Sequence, residues 1–277
     1  MKNILLLTDF SNNAQNAINY AMEFFKGGTY DFFLLNVHKV SNYTTGDLMT
    51  STASTSIYDS IIKDPKVALN NMIKDLDALY NNEDYSFETI CDYDSFVSAV
   101  NQTIKLKNID LIVMGSNGAT GAKEVIFGSN TINVIRNVNC PVLVIPQDFK
   151  YKALNSIVFA TNADEKFSRK PLKPLMHIVS KFNSELNILT LEKDEIINFS
   201  KEKKVKMDEF FIGVNHSFYS IENVPTDIAI DSFVQIKQVD LTATIINKES
   251  FFKRLVSGST TDEITYNSRI PLLIMHP

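Results

Sequence analysis

The sequence predicts an α/β protein of two tandem doubly wound domains, each a five-stranded parallel sheet flanked by helices. Three observations lead there. Short apolar runs without polar alternation recur along the chain, and strands buried on both faces read this way. Stretches of three- and four-residue apolar spacing lie between them, as helices do. The same order of elements then restarts near residue 156. At 277 residues the chain also has room for two domains.

Residues 3–8 are the first strand. Asp9-Phe10-Ser11-Asn12-Asn13 follow as a turn, with Ser11 placed to cap a helix. Ala14, Ala17, Ile18, Ala21 and Phe25 mark the buried face of that helix, and Gly27-Gly28 ends it. Residues 32–37 are the second strand. The Ser- and Thr-rich segment 41–57 reads as a loop. Pro65 is suited to open the next helix, with Ala68, Met72, Leu76 and Leu79 on its apolar face. A weak strand over 87–91, a helix over 96–106 and a strand over 111–114 come next. Residues 131–135 form part of a helix, and 142–145 a last strand after Pro141.

Residues 148–153 are more polar and read as a junction, dividing the chain into domains 1–148 and 152–277. In the second, 156–161 repeats the first strand and 186–191 the second. Residues 217–221 stand for the third, and 241–246 and 271–275 for the last two. The register is tight: Asp110, Gly128, Ser129 and Pro141 each fall 130 residues before Asp240, Gly258, Ser259 and Pro271.

Composition excludes several classes. The net charge is −5, and Lys and Arg cluster only in the short 201–204 patch. A nucleic-acid surface needs a basic face, so no such partner is expected. No apolar run spans a bilayer. The opening run 4–7 is halted by Asp9, too short for an export signal. The expected location is therefore the cytoplasm, with Cys91 and Cys140 reduced. The four histidines are scattered without ligand spacing, so no metal site is expected among them.

The segment with chemistry follows the fourth strand: Met114-Gly115-Ser116-Asn117-Gly118, then Gly128-Ser129-Asn130-Thr131. A strand ends at Gly115, a loop follows, and a helix begins after Gly128-Ser129. The first turn of a helix carries unpaired N–H groups and roughly half a positive charge. Glycine lets an anion come close to the backbone. A Walker A loop is absent, because no Gly-Lys-Ser/Thr follows, and the dinucleotide fingerprint fails on spacing.

Gly115-x2-Gly118-x9-Gly128-Ser129 resembles the nucleotide motif of the universal stress protein family, Gly-x2-Gly-x9-Gly-Ser/Thr, at every defined position. The opening Ile4–Ser11 resembles the family's first strand and its Thr-Asp-x-Ser turn. Cys140–Ile145 resembles its final strand. The likeness is close over 1–147 and loose over 153–277. It implies an adenine-nucleotide-hydrolase-like fold that binds ATP or AMP, with Mg2+ when the ligand is ATP. Carried onto this chain, Leu7, Thr8 and Asp9 line the site, and Val37 meets the adenine with its backbone. Met114, Gly115 and Gly118 face the ribose and phosphates, while Gly128, Ser129 and Asn130 cradle the phosphates. Lys123 lies in the loop, either reaching an anion or simply solvated.

The second domain departs from the motif: Gly115 becomes Ile245, Gly118 becomes Lys248 and Asp9 becomes Asn162. It is expected to bind no nucleotide in the usual mode and to serve as pseudo-twofold partner. In the family, domains pair through their last strands, here 142–145 and 272–275, and a homodimer of such chains is compatible with the resemblance. Asp9 either meets nucleotide or metal, or only closes the turn with Ser11. Ser129 has the same double reading as phosphate ligand and helix cap. Three functions stay open: a regulatory stress-response module, a slow ATPase using Asp9, and a nucleotide-free interaction scaffold.

Overall fold

The computed structural model describes residues 1–38, 57–116, 125–162, 168–192, 208–246, 264–266 and 269–277. The first half runs β1 (Asn3–Leu7), α1 (Asn12–Phe25), β2 (Tyr30–Val37), α2 (Ile57–Leu79) and β3 (Tyr85–Asp92). It continues with α3 (Phe96–Lys107), β4 (Leu111–Gly115), β5 (Val125–Phe127), α4 (Ser129–Asn137) and β6 (Val142–Ile145). The second half runs β7 (Ser156–Asn162), α5 (Arg169–Phe182), β8 (Glu185–Glu192) and β9 (His216–Glu222). It ends with α6 (Thr226–Lys237), β10 (Leu241–Ile245), β11 (Ile264–Tyr266) and β12 (Leu272–Met275).

All the described strands but β5 and β11 form one ten-stranded sheet in the order β3-β2-β1-β4-β6-β12-β10-β7-β8-β9. Neighbours within each half are parallel. The halves join through β6 and β12, which pair antiparallel with Leu143 opposite Leu273. The two five-stranded sheets are thus a single surface. Joining these edges leaves only β3 and β9 at its margins and removes two open strand edges.

Alternate residues of each strand feed opposite cores. Ile4 and Leu6 pack on the face covered by α1, α2 and α5, with Ile18, Leu69 and Ile178. Leu5 and Leu7 pack on the face covered by α3, α4 and α6, with Val100, Ile132 and Ile230. Burial on both faces is why the strands carry continuous apolar runs.

The 130-residue register has a structural cause. Asp110 Oδ2 accepts the amides of Lys2 and Asn3 at 2.7 and 3.1 Å. Asp240 Oδ2 accepts those of Asn155 and Ser156 at 2.8 and 3.0 Å. Each aspartate ties the start of the first strand of its half to the start of the neighbouring strand, β4 or β10. The junction is also fixed: Asn16 Nδ2 donates to the Phe149 carbonyl at 3.2 Å and Lys150 Nζ to Asn16 Oδ1.

Three expectations change. Helix α2 does not begin at Pro65 but at Ile57, and Pro65 lies within it. Leu79 is not on the buried face; it is exposed, and Leu69 and Leu76 make the apolar contacts. The β5–β11 pair, a separate two-stranded antiparallel sheet, falls where no strand was read. The 41–56 stretch and the 201–206 patch lie outside the described residues.

Candidate functional site

A cleft of about 140 Å³ opens at the carboxyl ends of β1, β2 and β4. In open α/β sheets this end of the strands is where ligands bind. Its described lining includes Leu7, Thr8, Asp9, Val37, Met114, Gly115, Gly128, Ser129 and Asn130. All nine are positions that the resemblance assigned to the site. Gly118 and Lys123 lie outside the described residues.

The turn after β1 is held by its own side chains. Thr8 N donates to the Leu35 carbonyl and the Thr8 carbonyl accepts from Asn36 Nδ2 at 2.8 Å, fixing β1 against β2. Thr8 Oγ1 accepts from Phe10 N, and Asp9 Oδ1 from Ser11 N, both at 3.0 Å. Between them Phe10 takes φ 64°, a left-handed conformation that a bulky residue holds only under constraint. Ser11 then caps α1 by accepting from Ala14 N. Asp9 therefore closes the turn and also faces the cleft.

Helix α4 is built differently. Its cap is Gly128, which has no side chain to offer. The first intrahelical bond runs from Ile132 N to the Gly128 carbonyl. The amides of Ser129, Asn130 and Thr131 precede it and have no partner among the described residues. Ser129 is the first helical residue, not the cap. Thr131 Oγ1 donates to the Gly115 carbonyl at 3.2 Å and anchors this turn to the end of β4. By contrast α1 and α3 begin on Ser11 and Ser95, whose hydroxyls accept from their own helices.

Ser11, Asn13, Ala14, Phe96 and Thr131 also line the cleft. They were not among the ligand candidates. Asn13 and Ala14 sit in the first turn of the helix after β1, which in this topology must open onto the same end of the sheet. That is the signal that would have found them. Asn13 Oδ1 is buried without a hydrogen-bond partner. Among the described lining residues Asp9 is the one ionisable group, so the donors are backbone amides, hydroxyls and carboxamides.

The family model described as the universal stress protein family matches residues 1–146. The chain belongs to the universal stress protein family. A universal stress protein of Methanocaldococcus jannaschii is 28% identical over 161 residues, 52% of this chain and 94% of that protein. A universal stress protein structure from Archaeoglobus fulgidus superposes with a TM-score of 0.70 at 19% identity, covering 98% of this chain and 97% of that one. The cytoplasmic domain of a prokaryotic cation chloride cotransporter reaches 0.58 at 9% identity, covering 99% and 95%. At these identities the structural likeness is one of fold, and it spans both halves of this universal stress protein. Among its described residues no helix is long and apolar enough to cross a membrane.

Proposed function

We propose that the cleft binds an adenine nucleotide, ATP or AMP, and that the protein acts as a nucleotide-responsive stress-response module in the cytoplasm. One observation carries this reading. The motif glycine Gly128 leaves the first-turn amides of α4 open at a cleft walled by the β1 turn and the end of β4. A phosphate satisfies those amides and meets the favourable end of the helix dipole. The family resemblance supports the assignment of Leu7, Thr8 and Asp9 to the lining of the site, of Val37 to the adenine and of Met114, Gly115 and Gly118 to the ribose and phosphates. Gly128, Ser129 and Asn130 are the phosphate cradle.

Asp9 is suited to Mg2+ brought in with ATP, since a carboxylate facing phosphate directly would repel it. Phosphoryl transfer asks for metal, base and cationic clamp together. The described lining offers one carboxylate and no cation, which favours binding over turnover. The free thiols of Cys91 and Cys140 suit a reducing compartment.

Calorimetric titration with ATP and AMP, each with and without Mg2+, tests the reading. About one site per chain is expected. Gly128→Asp is the matched control: φ −68° suits any residue, and an aspartate caps α4 itself. It should hold or slightly raise the unfolding temperature while weakening nucleotide binding about a hundredfold, because its charge opposes phosphate. No heat and no thermal shift at millimolar nucleotide would leave the protein a nucleotide-free scaffold.

A further inference from the structure

Helix α4 is held at both ends by the second half of the chain. Immediately before its cap, β5 pairs antiparallel with β11, with Phe127 opposite Ile264 and Val125 opposite Tyr266. At its far end, His276 Nε2 lies 3.0 Å from the Ile135 carbonyl. That carbonyl is in the last turn, where intrahelical donors have run out. Val138 N takes the Val134 carbonyl and Asn101 Nδ2 the Asn137 carbonyl. His276 thus adds a cap to the end of α4 from the other half. A carbonyl cannot donate, so the Nε2 tautomer carries the proton, and Nδ1 is left buried without a partner.

The repeat register shows that this is where the halves diverge. Gly128/Gly258 and Pro141/Pro271 share the 130-residue offset, so the segments between them have equal length. Residues 264–266 therefore match 134–136, which are helical in α4. In the second half they are strand β11, and they reach across to β5. His276 matches Pro146, which has no such ring donor. The motif-poor half has a strand where its counterpart has the cradle helix, and that strand grips the approach to the intact cradle.

We propose that the second half is a positioning clamp for the nucleotide cleft, with β11 and His276 holding α4 so that ligand binding and the β5–β11 pairing are thermodynamically coupled. His276 is a positioning residue, acting through Ile135. The coupling rests on the nucleotide reading above; the clamp on α4 does not. A ligand that orders the first turn of α4 must stabilise the β5–β11 ladder by the same factor by which the ladder strengthens binding.

Hydrogen exchange of the full-length protein tests the clamp without ligand. His276→Leu removes the donor, and His276→Gln supplies another. In a two-stranded antiparallel ladder alternate residues point their N–H at the partner, so one of Ile264→Pro and Thr265→Pro removes a bond. His276→Leu and one proline variant should speed exchange in α4 about three- to tenfold, the loss of one hydrogen bond, while β1 and β2 stay protected. The glutamine should restore the wild-type rate. Unchanged α4 exchange in every variant overturns the clamp, whatever nucleotide does. With Mg-ATP added, wild-type Ile264–Tyr266 amides should slow although they do not line the described cleft. The same variants should bind about three- to tenfold more weakly. Wild-type binding with unaltered affinity in the variants overturns the coupling alone. Absence of wild-type binding overturns the nucleotide reading and the coupling with it.

Discussion

A Cβ added at Gly115 would sit 2.6 Å from Asn13 Nδ2, closer than such atoms ever rest. The first turn of α1 has settled into the space that a side chain at the end of β4 would fill. The second half shows the alternative, with Ile245 at the matching position and 4% exposed. That half has put apolar bulk where the first keeps backbone accessible. A double-mutant cycle of Gly115→Ala and Asn13→Ala, followed by urea unfolding, should show coupling of about 1 kcal/mol, because removing Asn13 relieves the approach. The Asn13 change also deletes a buried oxygen that has no partner. Additivity within about 0.3 kcal/mol would mean that the carboxamide swings aside freely and that the close approach matters little.

At the scale of elements, Asp110 and Asp240 make the same pair of bonds in different surroundings. Asp240 is 5% exposed and also holds Lys152 at 2.7 Å. Asp110 is exposed at the surface. Alanine at 240 leaves two partly buried amides without an acceptor and should cost about 2–3 kcal/mol, whereas alanine at 110 lets water replace the carboxylate and should cost about 1 kcal/mol or less. Equal costs, measured by chemical unfolding of the two variants, would show that burial does not separate the sites. These aspartates also explain what was legible. Strands β1, β4 and β7 stand out because their residues are buried on both faces, and the repeat shows because each half needs the same anchor. The walls of the cleft at Gly115 and Gly128 were legible because glycine spacing records a backbone requirement. Strands β5 and β11 were not, because three-residue strands acquire meaning only from a partner far away in sequence. The start of α2 was obscured by Pro65, which usually begins a helix and here lies inside one. Asn13 and Phe96 were missed because each reads locally as an ordinary residue near a helix start.

At the scale of the molecule, the two halves cap one another. Lys181 of α5 donates to the Phe25 and Lys26 carbonyls at 3.3 and 2.8 Å, closing the end of α1, as His276 closes α4. His177, one turn before Lys181, stands at the same join. Its Nε2 is buried without a partner. Burial lowers its pKa below the ordinary 6.5, the N-terminal ammonium and Lys181 lower it further, and Asp110 opposes them. The folded protein therefore holds a proton on this ring less readily than the unfolded chain, which takes one up near pH 6.5. Below that value the unfolded state binds more protons, so the stability contributed by a neutral His177 is complete above it and is lost as pH falls beneath it. The helpful carboxylates act in a lower window: Asp31 is held down first by its bond from Ser86 and then by Lys2, and it stays ionised until the pH drops below the carboxylate range. Urea midpoints at about pH 7.5 and about pH 5.5 separate the two effects. Wild type should lose stability over that interval, and His177→Leu should lose less of it. A leucine variant with the full wild-type slope would place the acid sensitivity elsewhere than at this join.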